Sequence, residues 1–225
     1  GRWVNYLAGG STAYPEGPGL NIPVNMSVAF HSDAGCHPTD KLVGTFMFYT
    51  IKDDDKETTY PSGGDRICNR DFADYLQTQI VEDIRQTMMP TWQKRHLMHK
   101  SMSETRNPKV PSTIIELLSH HNYYDMTFGL DPKFKFIVSR AIYKGMLRFI
   151  HQTTGTPYVV QPLPVQQMNI SYANNDSLYI RWAERVDRLE PTATPSYYIL
   201  YTRTSQFRNG EWVTSDWDNG IRVTN

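Results

Sequence analysis

The stretch of sequence that decides the fold is Met26-Ser-Val-Ala-Phe-His31-Ser-Asp33-Ala-Gly35. An apolar run ends at a histidine, and a small polar segment that contains glycine follows at once. This pattern is typical of a buried strand that brings a ligand or a catalytic group to the edge of a sheet. It predicts a short strand over residues 24–30 with His31 at its end.

A second apolar stretch, Ser112-Thr-Ile-Ile-Glu116-Leu-Leu-Ser-His-His121, presents a carboxylate in the same way. A glutamate in so apolar a run is costly to bury unless its charge is paired or used. From spacing alone, a histidine at a strand end is most often a structural residue, and it is Glu116 that favours a functional role for His31. An imidazole and a carboxylate at two strand ends form a sparse set of groups for hydrolysis.

The composition is that of an ordinary globular protein of 225 residues, with 39% apolar and 12% aromatic residues. This length is sufficient for one large domain or two small ones. The 23 basic and 23 acidic residues cancel, which removes any global electrostatic case for binding nucleic acid or an anionic membrane. Because no run approaches about 18 apolar residues, the sequence predicts no transmembrane helix.

The two cysteines, Cys36 and Cys68, both lie in turn-rich surroundings. They lack the paired spacing of a cysteine-type zinc site. They are either unpaired or joined by one disulfide, which requires Cα atoms roughly 4.4–6.8 Å apart. We favour the disulfide, because the functional interpretation below places the protein outside the cytoplasm.

Two further strands are predicted in the first two thirds of the chain. A β-branched and aromatic run indicates one over residues 42–51, and Pro111 precedes another over residues 112–117. Residues 1–23, rich in glycine and proline, are expected to form an irregular surface segment. The acidic triplet at residues 53–55 lacks the ligand spacing of a calcium loop and is expected to be a solvated turn.

Two helices complete this part of the chain. Apolar residues at i+4 spacing predict the first over residues 71–88, which Asn69 or Asp71 can cap. Pro132 suits the first turn of the second, which is expected to end at about residue 151. The order of elements predicts an α/β domain over residues 1–156, with a mixed sheet flanked by helices.

The remaining residues, 157–225, change in character and show no helical periodicity. Alternating and aromatic runs predict strands over residues 165–172, 178–182 and 197–204. The sequence therefore predicts a small all-β sandwich as a second domain.

Three segments carry a resemblance to a known family. They are Ser27-Val-Ala-Phe-His31-Ser-Asp33-Ala, Gly44-Thr-Phe-Met-Phe-Tyr49 and Val110-Pro-Ser-Thr-Ile-Ile-Glu116-Leu-Leu-Ser119. They resemble zinc-dependent N-acetylmuramoyl-L-alanine amidases, which carry a Ser-x-His-x-Asn-Ala-like motif, then a glycine-led aromatic strand, then a Pro-x-x-x-x-Glu strand. The resemblance covers about residues 24–151.

Further segments are similar to a narrower branch of that family, found in gut and oral Bacteroidetes and often labelled xanthan lyase. They include Leu20-Asn-Ile-Pro, Leu130-Asp-Pro and Val138-Ser-Arg-Ala-Ile-Tyr-Lys-Gly. Members of the branch carry a trailing β-domain. Here Trp182 and Tyr197-Tyr-Ile-Leu-Tyr201 resemble the core tryptophan and central strand of a fibronectin type III module whose end is cut short.

The resemblance implies roles for two residues. His31 matches a zinc ligand, and Glu116 matches the catalytic carboxylate that serves as general base and acid. Zinc would polarise the amide that joins N-acetylmuramic acid to L-alanine and lower the pKa of a bound water towards about 7. Asp33 stands where the family often has asparagine and is a candidate to support the site.

Four other residues are candidates to contact the substrate. His120 and His121 follow the Glu116 strand, while Arg95 and Arg106 belong to a basic stretch over residues 91–108. An arginine can bind the carboxylate of a stem peptide. A solvated surface is the ordinary alternative for such a basic stretch, and His37 is a further, more remote candidate.

The resemblance also implies two zinc ligands upstream of this region, a histidine in a Gly-His-Gly-like loop and a glutamate. The chain begins at Gly1-Arg-Trp and contains no such loop. Catalytic zinc takes about three protein ligands and a water. We therefore expect a fragment of a longer enzyme, inactive or only weakly metal-binding by itself.

Three functions stay open. The first is a peptidoglycan amidase, which would be secreted, periplasmic or on the cell surface because its substrate is there. The second is a cell-wall or glycan-binding module that kept the fold and lost the metal. The third is a polysaccharide lyase, for which Asn122, Tyr123 and Tyr124 would supply the base and the neutralising group.

Overall fold

The computed structural model describes residues 1–33, 35 and 41–224. The chain divides into two compact units, Gly1–Tyr158 and Val159–Asn225. We call them unit 1 and unit 2. Cys36 and His37 lie outside the described residues, and so does the predicted Cys36–Cys68 disulfide.

A mixed sheet forms the centre of unit 1. Among the described residues it has four strands in the order β1-β4-β2-β3. The strand β4 pairs parallel with β1 and antiparallel with β2, and β2 pairs parallel with β3. Together with the helices on it, this sheet confirms the predicted α/β class. The strands are β1 (Ser27–His31), β2 (Thr45–Tyr49), β3 (Lys94–His99) and β4 (Ser112–Glu116).

The sequence does not predict the strand β3, because its residues belong to a basic stretch without a clear strand pattern. Its sequence, Lys-Arg-His-Leu-Met-His, is half exposed, and it lies at one edge of the described sheet. Charged residues on an edge strand discourage pairing with other chains. The basic residues that prevent the prediction of this strand therefore suit its position at the edge of the sheet.

Two long helices, α2 (Cys68–Thr87) and α5 (Pro132–Thr154), pack on one face of the sheet. Phe72 of α2 stacks on Phe149 of α5 with 4.6 Å between ring centroids. A Cβ on Gly145 would lie 2.8 Å from a methyl carbon of Leu76, so this glycine permits the close approach of the two helices. The predicted inner faces are buried, at Phe72, Leu76, Ile80 and Ile84 on α2 and at Phe134, Val138, Ala141, Gly145 and Phe149 on α5.

The ends of these helices agree with the sequence in part. Pro132 lies in the first turn of α5, as predicted, and Asp131 caps it by accepting a hydrogen bond from Lys133 N. The predicted cap of α2 was wrong, since that helix begins after Ile67. Asn69 instead bridges β2 and β4, because its side chain donates to Thr50 O and accepts from Ser112 N.

Three short helices also differ from prediction. They are α1 (Arg2–Ala8), α3 (Ser103–Arg106) and α4 (Tyr123–Gly129). The prediction that residues 1–23 are wholly irregular was therefore wrong. Helix α1 leaves Trp3 67% exposed, so it carries no buried stripe that periodicity could detect.

No helix within the described residues is both long enough and apolar enough to span a membrane.

The two faces of the sheet carry different apolar clusters. Met47 and Ile115 pack with residues of α2 and α5 in the larger cluster. Phe46, Phe48 and Ile114 belong to a smaller cluster, with Met102 against it. Because side chains alternate along a strand, the smaller cluster lies on the face away from the two long helices. We call this face the open face.

Unit 2 is built from strands. Within residues 159–224 they form three two-stranded antiparallel sheets, β5 with β6, β7 with β10 and β8 with β9. Trp182, the predicted core tryptophan, contacts Tyr198 edge-on at 5.3 Å. The fibronectin type III sandwich stays a prediction. The strands are β5 (Gln166–Asn174), β6 (Ser177–Ala183), β7 (Tyr198–Leu200), β8 (Ser205–Arg208), β9 (Glu211–Thr214) and β10 (Ile221–Val223).

Candidate functional site

The strand register brings His31 and Glu116 together. In the parallel pair of β1 and β4, His31 is opposite Glu116, and each is the last residue of its strand. The carboxyl ends of neighbouring parallel strands are a common place for ligand-binding groups in α/β sheets. By alternation from Ile114, Glu116 belongs to the open face of the sheet.

Asp33 joins this pair just beyond the end of β1. An isolated antiparallel β-bridge to Ser119 holds Asp33 there. His31 Nδ1 lies 3.7 Å from Asp33 Oδ1 and 3.7 Å from Glu116 Oε1. One ligand atom from each of the three residues lies within 4.8 Å of the others. We call His31, Asp33 and Glu116 the carboxylate–histidine group.

Glu116 is the buried member of this group. Its side chain is 7% exposed, whereas those of His31 and Asp33 are 31% and 58% exposed. Among the described residues its Oε2 has no hydrogen-bond partner. Burial, and after it the charge of Asp33, raise the pKa of Glu116 to about 7, while His31 opposes this rise. A carboxyl group with this pKa can both take and release a proton near neutral pH.

The donor set of the group suits a divalent metal ion. One imidazole nitrogen and two carboxylate oxygens are ligands that Zn²⁺ accepts. Two ligands at about 2.1 Å from one zinc ion, at a tetrahedral angle, are roughly 3.4 Å apart. The 3.7 Å separations from His31 Nδ1 are close to that value and too long for hydrogen bonds.

Sequence analysis missed a third carboxylate next to His31. Glu104, on α3, places its Oε1 3.4 Å from His31 Nε2. Its Oε2 accepts a hydrogen bond of 2.8 Å from Ser103 Oγ, and this bond lowers the pKa of Glu104. No motif or periodicity marks this residue, since it lies in the basic stretch and reaches the site only through the fold.

The two arginines that were predicted to contact substrate have different surroundings. Arg106 pairs with Asp54 and donates to Ser101 Oγ, and neither partner belongs to the carboxylate–histidine group. The guanidinium of Arg95 lies over the ring of Phe46, on the open face, at 4.4 Å. Burial lowers the pKa of Arg95, while the charges of Glu116 and Asp125 oppose this. Arg95 is thus the arginine that interacts with Glu116.

His120 and His121 follow the site in sequence but have other contacts. His120 Nδ1 lies 3.1 Å from Ser32 Oγ, and the two histidine rings are 4.1 Å apart. His120 lines a cavity of about 310 Å³ together with Phe30 and Leu117. Since these two residues alternate with His31 and Glu116, the cavity lies on the side of the sheet opposite the carboxylate–histidine group.

The residues considered for a lyase mainly support the local structure. Asn122 caps α4 by accepting a hydrogen bond from Asp125 N, and it donates to Lys41 O. The ring of Tyr124 packs edge-on against Phe128 at 5.7 Å, while Tyr123 is 83% exposed. These contacts account for Asn122 and Tyr124 without a catalytic role.

Neither a protein-family model nor a curated protein sequence matches the chain. Solved structures of N-acetylmuramoyl-L-alanine amidases do match it. One is AmiC2 of Nostoc punctiforme, at 16% identity and a TM-score of 0.44 over 57% of this chain and 59% of that chain. Another is the amidase of Clostridium difficile 630, at 15% identity and a TM-score of 0.46 over 58% and 60%. A third is Ami1 of Mycobacterium smegmatis, at 20% identity and a TM-score of 0.42 over 57% and 55%.

The chain thus spans less than two thirds of the length of these three proteins. At these identities and TM-scores, no conclusion about the activity or the site residues of this chain follows from the likeness alone.

Proposed function

We propose that this chain carries the catalytic end of a zinc-dependent N-acetylmuramoyl-L-alanine amidase, a peptidoglycan hydrolase. The observation that carries the proposal is the in-register placement of His31 opposite Glu116, with Asp33 beside them. Two of the sequence motifs that resemble this family contain these same residues. The proposal therefore has support from the motifs and, separately, from the geometry.

The residues present fit a metal ion. His31 and Asp33 would hold it, and the unpartnered Oε2 of buried Glu116 leaves one carboxylate oxygen for the reacting groups. When bound, zinc supplies a Lewis acid that polarises the amide carbonyl and makes water easier to deprotonate. Since catalytic zinc takes about three protein ligands, at least one more ligand belongs to the complete site.

Glu116 would move the proton in this reaction. It would take a proton from the attacking water and return it to the nitrogen of the leaving L-alanine. The bond broken would be the amide between the lactyl group of N-acetylmuramic acid and L-alanine. Arg95, whose charge interacts with Glu116, would keep the carboxylate available in its ionised form during the first step.

The assignment of the two domains belongs to the same proposal. Residues 1–156 would be the amidase-like domain. Residues 157–225 would be a fibronectin type III-like domain that serves to position or space the amidase-like domain. The enzyme would act outside the cytoplasm, since its substrate is the cell wall. The xanthan lyase label of similar sequences would then not describe the activity.

The test is zinc binding followed by hydrolysis of purified muropeptides. We expect the complete enzyme, with its further ligand present, to bind one zinc ion and its His31→Ala variant to lose the ion, while Glu116→Gln keeps zinc and loses hydrolysis. His96→Ala is the matched control, because His96 is an exposed histidine of β3 outside the group. Hydrolysis is read by mass spectrometry of the released stem peptide.

Zinc binding that survives His31→Ala would overturn the proposed metal site. A protein that binds muropeptides, binds no zinc and releases no stem peptide would favour the non-catalytic binding module instead.

A further inference from the structure

We propose that Glu104 is a positioning residue for His31. In this proposal Glu104 accepts a hydrogen bond from Nε2–H of the imidazole and thereby leaves the lone pair of Nδ1 directed at Asp33 and Glu116. The part that concerns metal binding rests on the proposed function, whereas the part that concerns the histidine tautomer does not.

The two sides of the imidazole ring face different surroundings. Nδ1 faces two carboxylates, each at 3.7 Å, a distance too long for a hydrogen bond. Nε2 faces one carboxylate, Glu104 Oε1, at 3.4 Å. Hydrogen bonds at functional sites are often long in the free protein and shorten when the site is loaded. Nε2 therefore has the shorter contact and a single carboxylate as its acceptor.

Glu104 is oriented for this contact. Its Oε2 is occupied by the hydroxyl of Ser103, which leaves Oε1 to face His31. A glutamate is ordinarily ionised at neutral pH, and an ionised carboxylate can only accept a hydrogen bond. An ionised acceptor at Nε2 favours the neutral tautomer that carries its proton there.

Helix α3 is held firmly enough to make Glu104 a fixed group. The next residue, Thr105, is fully buried, and its hydroxyl lies 2.6 Å from that of Thr50, just after β2. The carbonyl of Thr105 accepts a hydrogen bond from Ser112 Oγ at the start of β4. Arg66, also fully buried, donates to the carbonyl of Arg106. These bonds attach α3 to the strands that present the site.

This arrangement has a known chemical use. A histidine that binds a metal through one ring nitrogen commonly donates its other N–H to a carboxylate, which fixes the ring and makes the ligand more basic. Loss of such a partner typically weakens metal binding about 10- to 100-fold. Glu104 therefore tunes the affinity of the carboxylate–histidine group without being one of its ligands.

The experiment begins with the metal-free full chain, labelled with ¹⁵N at histidine, and reads the tautomer of His31 by long-range ¹H–¹⁵N correlation. We expect the Nε2–H tautomer in the unmodified chain and in Glu104→Gln, whose amide oxygen still accepts. In Glu104→Ala we expect a mixture of both tautomers. The control is Glu57→Ala, which removes an exposed glutamate outside the site.

The second readout is metal affinity, measured with Zn²⁺ in competition with a chelator. We expect Glu104→Ala to bind Zn²⁺ about 10- to 100-fold more weakly, Glu104→Gln to recover part of the loss, and Glu57→Ala to be unchanged. With ¹¹³Cd²⁺ as probe, scalar coupling is expected to Nδ1 of His31.

An Nδ1–H tautomer in the unmodified chain, or a tautomer that does not respond to Glu104→Ala, would overturn the proposal. Coupling of ¹¹³Cd to Nε2 would also overturn it. A chain that shows the expected tautomers but binds no metal would leave the role of Glu104 in place and contradict the proposed zinc enzyme. The two ideas thus fail separately.

Discussion

Asp53 and Glu116 are two buried carboxylates of unit 1 with opposite surroundings. Their side chains are 4% and 7% exposed, so water reaches neither of them freely. Burial by itself raises the pKa of both groups. The difference between them arises from their neighbours.

Asp53 is surrounded by donors and positive charge. Lys109 Nζ lies 2.9 Å and Arg66 Nη2 lies 3.6 Å from its Oδ2, while the backbone N–H groups of Asp55 and Glu57 donate to Oδ1. These contacts outweigh burial and hold the pKa of Asp53 below its ordinary value. Asp53 is therefore ionised in the folded protein and stabilises it.

Glu116 has the reverse arrangement. Its nearest charged neighbours include a second carboxylate, Asp33, and its Oε2 has no hydrogen-bond partner among the described residues. The folded protein thus holds a carboxyl group that resists ionisation. Similar burial thus gives a stabilising ion pair at Asp53 and a carboxyl group that resists ionisation at Glu116, because the neighbours of Asp53 compensate its charge and those of Glu116 do not.

The largest effect is expected from Asp53→Ala. It leaves the fully buried Arg66 guanidinium without its carboxylate, and removal of one partner of a buried pair typically costs about 3–5 kcal/mol. Urea unfolding followed by circular dichroism measures this loss. Asp74→Ala is the matched control, since Asp74 pairs with Lys94 on the surface and the expected change is below about 1 kcal/mol. Equal losses in both variants would contradict the contrast between buried and exposed pairs.

The second expected effect is an increase in stability rather than a loss. In the metal-free chain at about pH 8, we expect Glu116→Gln to raise the free energy of unfolding by about 1–3 kcal/mol, because a neutral amide replaces a poorly compensated buried charge. Urea unfolding in the presence of EDTA measures it. Glu82→Gln, an exposed change on α2, should have almost no effect. Destabilisation by Glu116→Gln would show that the Glu116 charge is compensated after all.

The third expected effect is the pH dependence of the difference in the free energy of unfolding between the unmodified chain and Glu116→Gln. The folded pKa of Glu116 is raised from 4.5 to about 7, so the folded state binds this proton more tightly than the unfolded state. The contribution of Glu116 to the free energy of unfolding therefore falls as pH rises from about 4.5 to about 7, and this contribution is level on either side. Glu116→Gln should remove this fall. Asp53 acts in the opposite sense, since its stabilisation is lost as pH falls through its lowered pKa.

A parallel series at several pH values, with the unmodified chain and Glu116→Gln, isolates the contribution of this one group. Identical pH profiles for the two proteins would contradict a raised pKa for Glu116.

The smallest effect is expected from Asp33→Asn. The change removes a negative charge that raises the pKa of Glu116, but Asp33 is 58% exposed and water screens its field. We expect the pKa of Glu116 to decrease by less than about one unit. A ¹³C titration of the glutamate carboxyl carbons measures this change. An increase would contradict the assignment, because it would mean that the Asp33 side chain favours the ionised form of Glu116.

The elements with strong periodicity could be predicted from the sequence. The stripes of α2 and α5 repeat every four residues or so, and both helices are buried along these stripes. The strand β3 could not be predicted, because an edge strand rich in basic residues has the same composition as a solvated loop.

For the site, local sequence indicates the residues at strand ends and misses whatever the fold brings in from elsewhere. His31 and Glu116 could be found because each ends an apolar run. Glu104 could not, since only the attachment of α3 to the sheet brings it to His31. The prediction of a solvated turn at Asp53 was also wrong. Arg66 and Lys109 reach Asp53 from other segments of the chain, which local sequence does not show.

The register of β1 against β4 has a consequence for how the protein acquires its function. The paired residues 31 and 116 are separated by more than a third of the chain, and contacts of such separation form slowly during folding. A slip of one residue would turn His31 away from Glu116, since side chains alternate along a strand. The proposed metal affinity would therefore depend on the strand pairing: only a chain that has paired β1 with β4 in the correct register would bring the proposed ligands together.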